Sequence, residues 1–173
     1  KVNNEETDCC ADRNILTIDG IIGFADSVKT EDVKEIIERQ IEYNKAISDE
    51  GLKNDYGASV GKVLLKSFGS GVHNLAKAAA AAGSDARMNG CSLPVVIVSG
   101  SGNQGMTASL PLIVYADYLN CGREKLIRAL VVSNLVTIHL KTGIGRLSAY
   151  CGAVSAGCGA GAGICYLYGG KCA

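Results

Sequence analysis

Tryptophan is missing from this chain of 173 residues, and proline and histidine occur only twice each. Aromatic residues make up 5%. A core without large rings must be filled by small and aliphatic side chains. Charge of one sign is also lacking in excess, since Lys plus Arg and Asp plus Glu both number 17. That balance removes any global electrostatic reason to expect a nucleic acid or an anionic membrane as partner. No two cysteines are spaced C-x₂-C, which argues against zinc fingers and ferredoxin-type sites. The opening Lys-Val-Asn-Asn-Glu-Glu does not read as a secretory signal. The eight cysteines are therefore expected to be reduced, in a cytoplasmic protein large enough to bury a core without disulfides. The missing initiator Met fits processing, or a piece of something longer.

Glycine, by contrast, is abundant, at 22 residues, nearly twice the usual share of roughly 7%. With so little proline, this suggests helices or segments in close backbone contact rather than flexible linkers. The longest charge-free stretch runs from Leu147 to Gly170 and is long enough to cross a bilayer. Its Gly, Ala, Ser and Cys content suits a tightly packed core better than lipid. Gly157 and Gly161 have the spacing of a close helix contact, and no membrane span is expected.

Residues 1–12 read as a polar lead-in, and 13–173 as a single helical domain. Residues 14–28 are apolar at helical spacing. Thr30 offers an N-cap, with Glu31 and Asp32 in the first turn, where carboxylates favour the helix dipole. Val33, Ile36, Ile37, Ile41, Asn44 and Ile47 then recur near helical spacing, with Gly51 as a stop. Ala76 to Ala82 is strongly helix-forming, with Gly83 suited to the C-cap and SDARMNG as a connection. The segment LPVVIV reads as a short strand or a buried apolar run, which periodicity alone does not decide. REKLIRALVVSNLVTIHLKTG reads as a long buried helix. The expected fold class is all-α, with more than half the residues helical and at most a minor strand component.

Three features could carry chemistry. The first is Ser99-Gly100-Ser101-Gly102-Asn103-Gln104-Gly105, between two apolar segments. Its glycines match G-x-G-x-x-G, but a dinucleotide site also needs a following helix and a second strand ending in an acid. Pro111 falls inside that helix, and Lys141 follows the next candidate strand. The same loop serves better as an anion cradle: backbone N–H groups are exposed by glycine, Ser101, Asn103 and Gln104 add donors, and a helix start could lie behind. The second is the series Cys151, Cys158, Cys165 and Cys172. On one helix these lie along a single stripe but about 10 Å apart per step, so at most one could join a given metal cluster unless glycines break the helix. The others are expected to be small buried residues, as free cysteine often is. Cys91 and Cys121 are read as structural. The third is Lys141 to Gly152, where Lys141 and Arg146 precede Cys151; nearby cations favour a thiolate. His73 and His139 are each read as packing residues, or either as a general base.

The stretches NGCSLPVVIVSGSGNQGMTASLPLIVYA and GRLSAYCGAVSAGCGAGAGICYLYGG, with the earlier ISDEGLKNDYGASVGKVLL, resemble the L-cysteine desulfidase group and its relatives, the iron–sulfur L-serine dehydratase alpha chains. The resemblance implies a helical catalytic domain carrying a [4Fe–4S] cluster and no pyridoxal phosphate. It implies elimination of hydrogen sulfide or water from L-cysteine or L-serine to pyruvate and ammonia. By position it makes Cys151 a cluster ligand, and Ser101, Asn103, Gln104 and Gly105 the substrate loop, with Lys141 and Arg146 as further substrate-binding candidates. The family's Gly-Cys-Thr-Glu-Pro-like and Cys-Asp-Gly-Ala-Lys motifs do not occur here. The expectation is therefore a central fragment with an absent or incomplete cluster, whose partners are a small amino acid and the remainder of the same enzyme, with room for a homo-oligomer. A dinucleotide-dependent oxidoreductase and a non-catalytic helical interaction domain are the competing readings.

Overall fold

The computed structural model describes residues 15–144 and 151–170. The polar lead-in, Arg146 and Cys172 fall outside the described residues. Among those described there are seven helices and no strand: α1 (Ile18–Ser27), α2 (Thr30–Lys53), α3 (Val60–Phe68), α4 (Val72–Met88), α5 (Gly102–Tyr118), α6 (Arg123–Thr142) and α7 (Gly152–Leu167). The fold is all-α, and among the described residues there is none of the parallel sheet that a dinucleotide site requires.

Helix α5 is the centre. It packs against α2, α4, α6 and α7, and Met106, Leu110 and Leu112 on it are fully or almost fully buried. Pro111 sits inside this helix without ending it, at the loss of one backbone hydrogen bond. Helix α6 supplies Leu126, Leu130 and Val132 to the same core. Arg128 of α6 donates to the carbonyls of Ala25, Asp26 and Val28, at 2.5, 3.0 and 3.2 Å, closing the end of α1 where orphan carbonyls attract cations.

Several sequence expectations are corrected. Lys29, not Thr30, is the N-cap of α2. Gly51 and Gly83 stop nothing: both are buried inside helices. A Cβ on Gly51 would overlap the Ala82 carbonyl, and one on Gly83 would come within 2.7 Å of Met106 Sδ. They are approach points between helices, and SDARM continues α4 instead of connecting. LPVVIV is neither strand nor buried run; it is irregular, with Leu93 and Ile97 exposed.

Helix α7 explains much of the glycine. Its inward face is Ser155, Ala156, Gly159, Ala160, Gly163 and Leu167. Gly159 lies on α6, where a Cβ would overlap Thr137 Oγ1, and Gly163 approaches the Ala129 carbonyl and Leu112. Gly157 and Gly161, which carry the expected contact spacing, face open space. Cys151, Cys158 and Cys165 are exposed rather than buried, and Cys91 and Cys121 are half-buried. Gly159 and Gly163 take the crowded side of the helix, and the larger cysteines lie outward.

Candidate functional site at two helix N-termini

The polar loop is the entry to α5. Ser101 is its N-cap, and its Oγ accepts from the Gln104 N–H at 3.3 Å. Ser101-Gly-Asn-Gln104 has the spacing of a capping box, in which the glutamine would return to the N–H of the cap residue. Here it reaches further back. Gln104 Oε1 accepts from the Ser99 N–H at 3.0 Å, and its Nε2 donates to Ser99 Oγ at 3.0 Å. Gln104 is wholly buried, so its amide braces the loop instead of facing a ligand.

The two glycines of the first turn are required by close approach. A Cβ on Gly102 would collide with Arg87 and Val95, and one on Gly105 with the Val96 carbonyl. The segment they touch is held from the other side by Asn44, which is fully buried on α2. Asn44 Oδ1 accepts from the Val96 N–H at 2.8 Å, while Nδ2 donates to the Val96 carbonyl at 3.2 Å and to Ser109 Oγ at 2.9 Å. Ser109 in turn donates to the Gly105 carbonyl at 2.9 Å. One amide thus ties α2, the irregular segment and α5 together.

Arg87, in the last turn of α4, donates to Asn103 Oδ1 at 3.1 Å and has no carboxylate partner within 4.0 Å among the described residues. Arg87 thus lies between the negative end of its own helix, which favours a cation, and the positive end of α5, which favours an anion beside it. The leading N–H groups of a helix have no partner inside it, and here those of Gly102 and Asn103 point the same way in charge. Sequence reading missed Arg87, Ser99 and Asn44. The capping-box spacing was a legible signal for the loop, and so was a polar Asn44 inside an otherwise isoleucine-rich stripe.

Cys151 is the exposed N-cap of α7, and Gly152 after it lies against the loop brace, a Cβ there being 3.5 Å from Gln104 Nε2. Further along, Gly163 meets Leu112. Helices α5 and α7 therefore run parallel, with their N-termini together. Helix α6 runs antiparallel to α7, as Gly159 on Ser133 and Gly163 on Ala129 show. Its last turn, with His139 and half-buried Lys141, is thus at the same end. His73, at the start of α4 and exposed, is at the far end from Arg87. The structure brings Ser101, Asn103, Gln104, Gly105 and Cys151 to one end of the bundle, with Lys141 at that end by topology.

These residues suit an anion and one thiolate ligand. No three His, Cys, Asp or Glu side chains gather to hold a metal among the described residues. A cubane cluster needs several thiolates, so the described residues do not by themselves fit one.

An all-helical bundle with glycine-lined contacts and paired helix N-termini is the setting in which family relationship becomes decisive. The chain belongs to the serine dehydratase alpha chain family, whose model matches residues 3–173. It is similar to a UPF0597 protein of Desulfitobacterium hafniense, 67% identical over 159 residues, covering 92% of this chain and 37% of the relative. A UPF0597 protein of Lachnoclostridium phytofermentans is 59% identical over 164 residues, covering 95% of this chain and 39% of the relative. One from Fusobacterium nucleatum is 51% identical over 165 residues, with 92% and 39% covered. The chain thus spans less than two-fifths of the length of these relatives. No solved structure matches it. No described helix is long and apolar enough to cross a membrane.

Proposed function

We propose that this chain holds the substrate carboxylate in a pyridoxal-phosphate-independent iron–sulfur lyase, which eliminates hydrogen sulfide or water from L-cysteine or L-serine. The observation that carries this reading is the meeting of the α5 and α7 N-termini at Gln104 and Gly152. Arg87 stands at one lip and Cys151 at the other. In this reading residues 13–173 act as one helical unit within a longer cytoplasmic enzyme.

The roles of the chain's own residues follow from the geometry. Arg87 and the N–H groups of Gly102 and Asn103 receive the carboxylate, as helix starts receive anions. Ser101 and Gln104 hold that turn in shape, and Gly105 lets it lie against Val96. Lys141 adds positive charge at the same end, and Arg146 is a further substrate-binding candidate that lies outside the described residues. Cys151 offers one thiolate to the cluster, and the other ligands come from polypeptide outside this chain. In the overall reaction the α-proton and the β-thiol or β-hydroxyl leave, and the resulting enamine hydrolyses to pyruvate and ammonia.

The test is an anaerobic assay of the longer polypeptide with both amino acids, measuring sulfide and pyruvate. Arg87→Met should raise KM by roughly 10- to 100-fold, the worth of a hydrogen bond to a charged group; Asn103→Ala, which keeps its N–H but releases the Arg87 side chain, should raise KM by a smaller factor, and both should leave iron content intact. Cys151→Ser should lower iron content. Absence of pyruvate from either substrate, or an unchanged KM in both loop variants, would sink the proposal.

A further inference from the structure

Helix α7 has no charged residue anywhere along Gly152–Leu167. One side is buried on α5 and α6. The other presents Cys151, Val154, Cys158, Gly161, Cys165 and Tyr168 to solvent, alternating three and four residues apart in a single stripe. Val154 is 70% exposed and Tyr168 59%. A helix on a protein surface normally carries charge on its open side, and one that is uncharged and largely apolar all round belongs in an interior. The contrast within the molecule is direct. Helix α2 turns Glu35, Arg39, Glu42 and Lys45 outward; α7 turns out cysteine, valine, glycine and tyrosine.

We propose that the outer face of α7 is covered by a helix from the part of the family's polypeptide that this chain does not include. More than half of each relative lies outside the matched region, so a covering segment of the same polypeptide is there to be placed. The stripe has the form of a helix seat. A Cβ on Gly157 or Gly161 would meet nothing within 4 Å, so a second helix can lie close over them, with Val154 and Tyr168 packing at its flanks. A membrane surface fits less well: interfacial helices pair an apolar face with a Lys/Arg-rich one, and α7 carries neither Lys nor Arg. The inference stands apart from the reaction proposed above. It is read by thiol protection and not by turnover, so either can fail alone.

The experiment compares iodoacetamide alkylation of Cys158 and Cys165, followed by peptide mass spectrometry. One sample is this chain alone; the other is a longer polypeptide in which this chain replaces its counterpart in the Desulfitobacterium hafniense relative. Both thiols should react freely in the chain alone and be slowed roughly tenfold or more in the longer polypeptide, since reactivity requires access. Gly161→Arg, and independently Gly157→Arg, should restore fast alkylation in the longer polypeptide, while the shorter chain stays helical and unfolds at no lower temperature, since both changes raise helix propensity. Equal rates in the two polypeptides would overturn the proposal. So would protection of the chain alone that grows with its concentration, which would assign the face to a second copy. Protection by vesicles of phosphatidylcholine and phosphatidylserine would assign it to a membrane and overturn the proposal equally.

Discussion

Replacing Asn44 with leucine tests whether one buried amide holds the candidate site in shape. Leucine has the branching and the number of side-chain heavy atoms of asparagine, so the change removes hydrogen bonds and leaves no void. Three bonds disappear: from the Val96 N–H at 2.8 Å, to the Val96 carbonyl at 3.2 Å and to Ser109 Oγ at 2.9 Å. Ser109 keeps its bond to the Gly105 carbonyl, so the loss falls on the two backbone groups of half-buried Val96. At about 1 to 1.5 kcal/mol each for an unmet or poorly hydrated group, the expected destabilisation is about 2 to 3 kcal/mol. With a urea m-value of about 2 kcal/mol/M, the unfolding midpoint followed by circular dichroism should fall by about 1 to 1.5 M. A local readout accompanies the global one: the Val96 amide should lose its protection from hydrogen exchange, because its acceptor is the deleted side chain. If Asn44→Leu unfolds within about 0.3 M of the parent, well inside the expected shift, and Val96 stays protected, then Asn44 does not organise this segment and the reasoning is wrong.

Two further outcomes follow from the same contacts. Gly159→Ala would put a methyl group into Thr137 Oγ1 and 2.5 Å from the Ser133 carbonyl, so it should cost about 1 to 3 kcal/mol as overpacking does. Gly161→Ala, on the open side of the same helix, should instead stabilise by up to about 1 kcal/mol through helix propensity; melting temperatures in the reverse order would refute the assigned faces. The Arg123 hydrogen bond and charge hold Glu38 below its ordinary value of 4.5. Its contribution is therefore full above that value and is lost as pH falls through the depressed folded pKa. Solvent screening keeps it below about 1 kcal/mol, and Glu38→Gln should flatten the acid side of the stability–pH curve by that amount.

Long helices were legible where period and propensity agreed. The α2 stripe of Ile37, Ile41 and Ile47, the alanine run of α4 and the apolar α6 all stand where the sequence pattern puts them. Glycine was misread because a cap and a packing contact look identical along one dimension. Gly51 and Gly83 follow helical stretches as stops do, yet what decides their role is the Ala82 carbonyl and Met106 on other helices. The same ambiguity hid the orientation of α7, whose glycines are divided between the buried face, with Gly159 and Gly163, and the exposed face, with Gly157 and Gly161. At the site, the loop could be picked out by its glycines and its polar alternation. Arg87, 16 positions before Asn103, could not, and although Asn44 stood out as polar in its stripe, its partner Val96, 52 positions on, did not, because nothing local marks which distant group will complete a turn.

The two lips of the candidate site differ in how far apart they lie along the chain. Arg87 and Asn103 are 16 positions apart, with only the irregular segment between α4 and α5 to close. Gln104 and Gly152 are separated by the rest of α5, the whole of α6 and the segment that leads to α7. Closing a loop about three times as long costs about 1 kcal/mol more chain entropy, and that contact forms only when α6 has doubled back. On a growing chain, the arginine side is complete while the cysteine side is still unmade. The order of synthesis thus gives the contact between Arg87 and Asn103 a head start over the meeting of the two helix starts at Gln104 and Gly152.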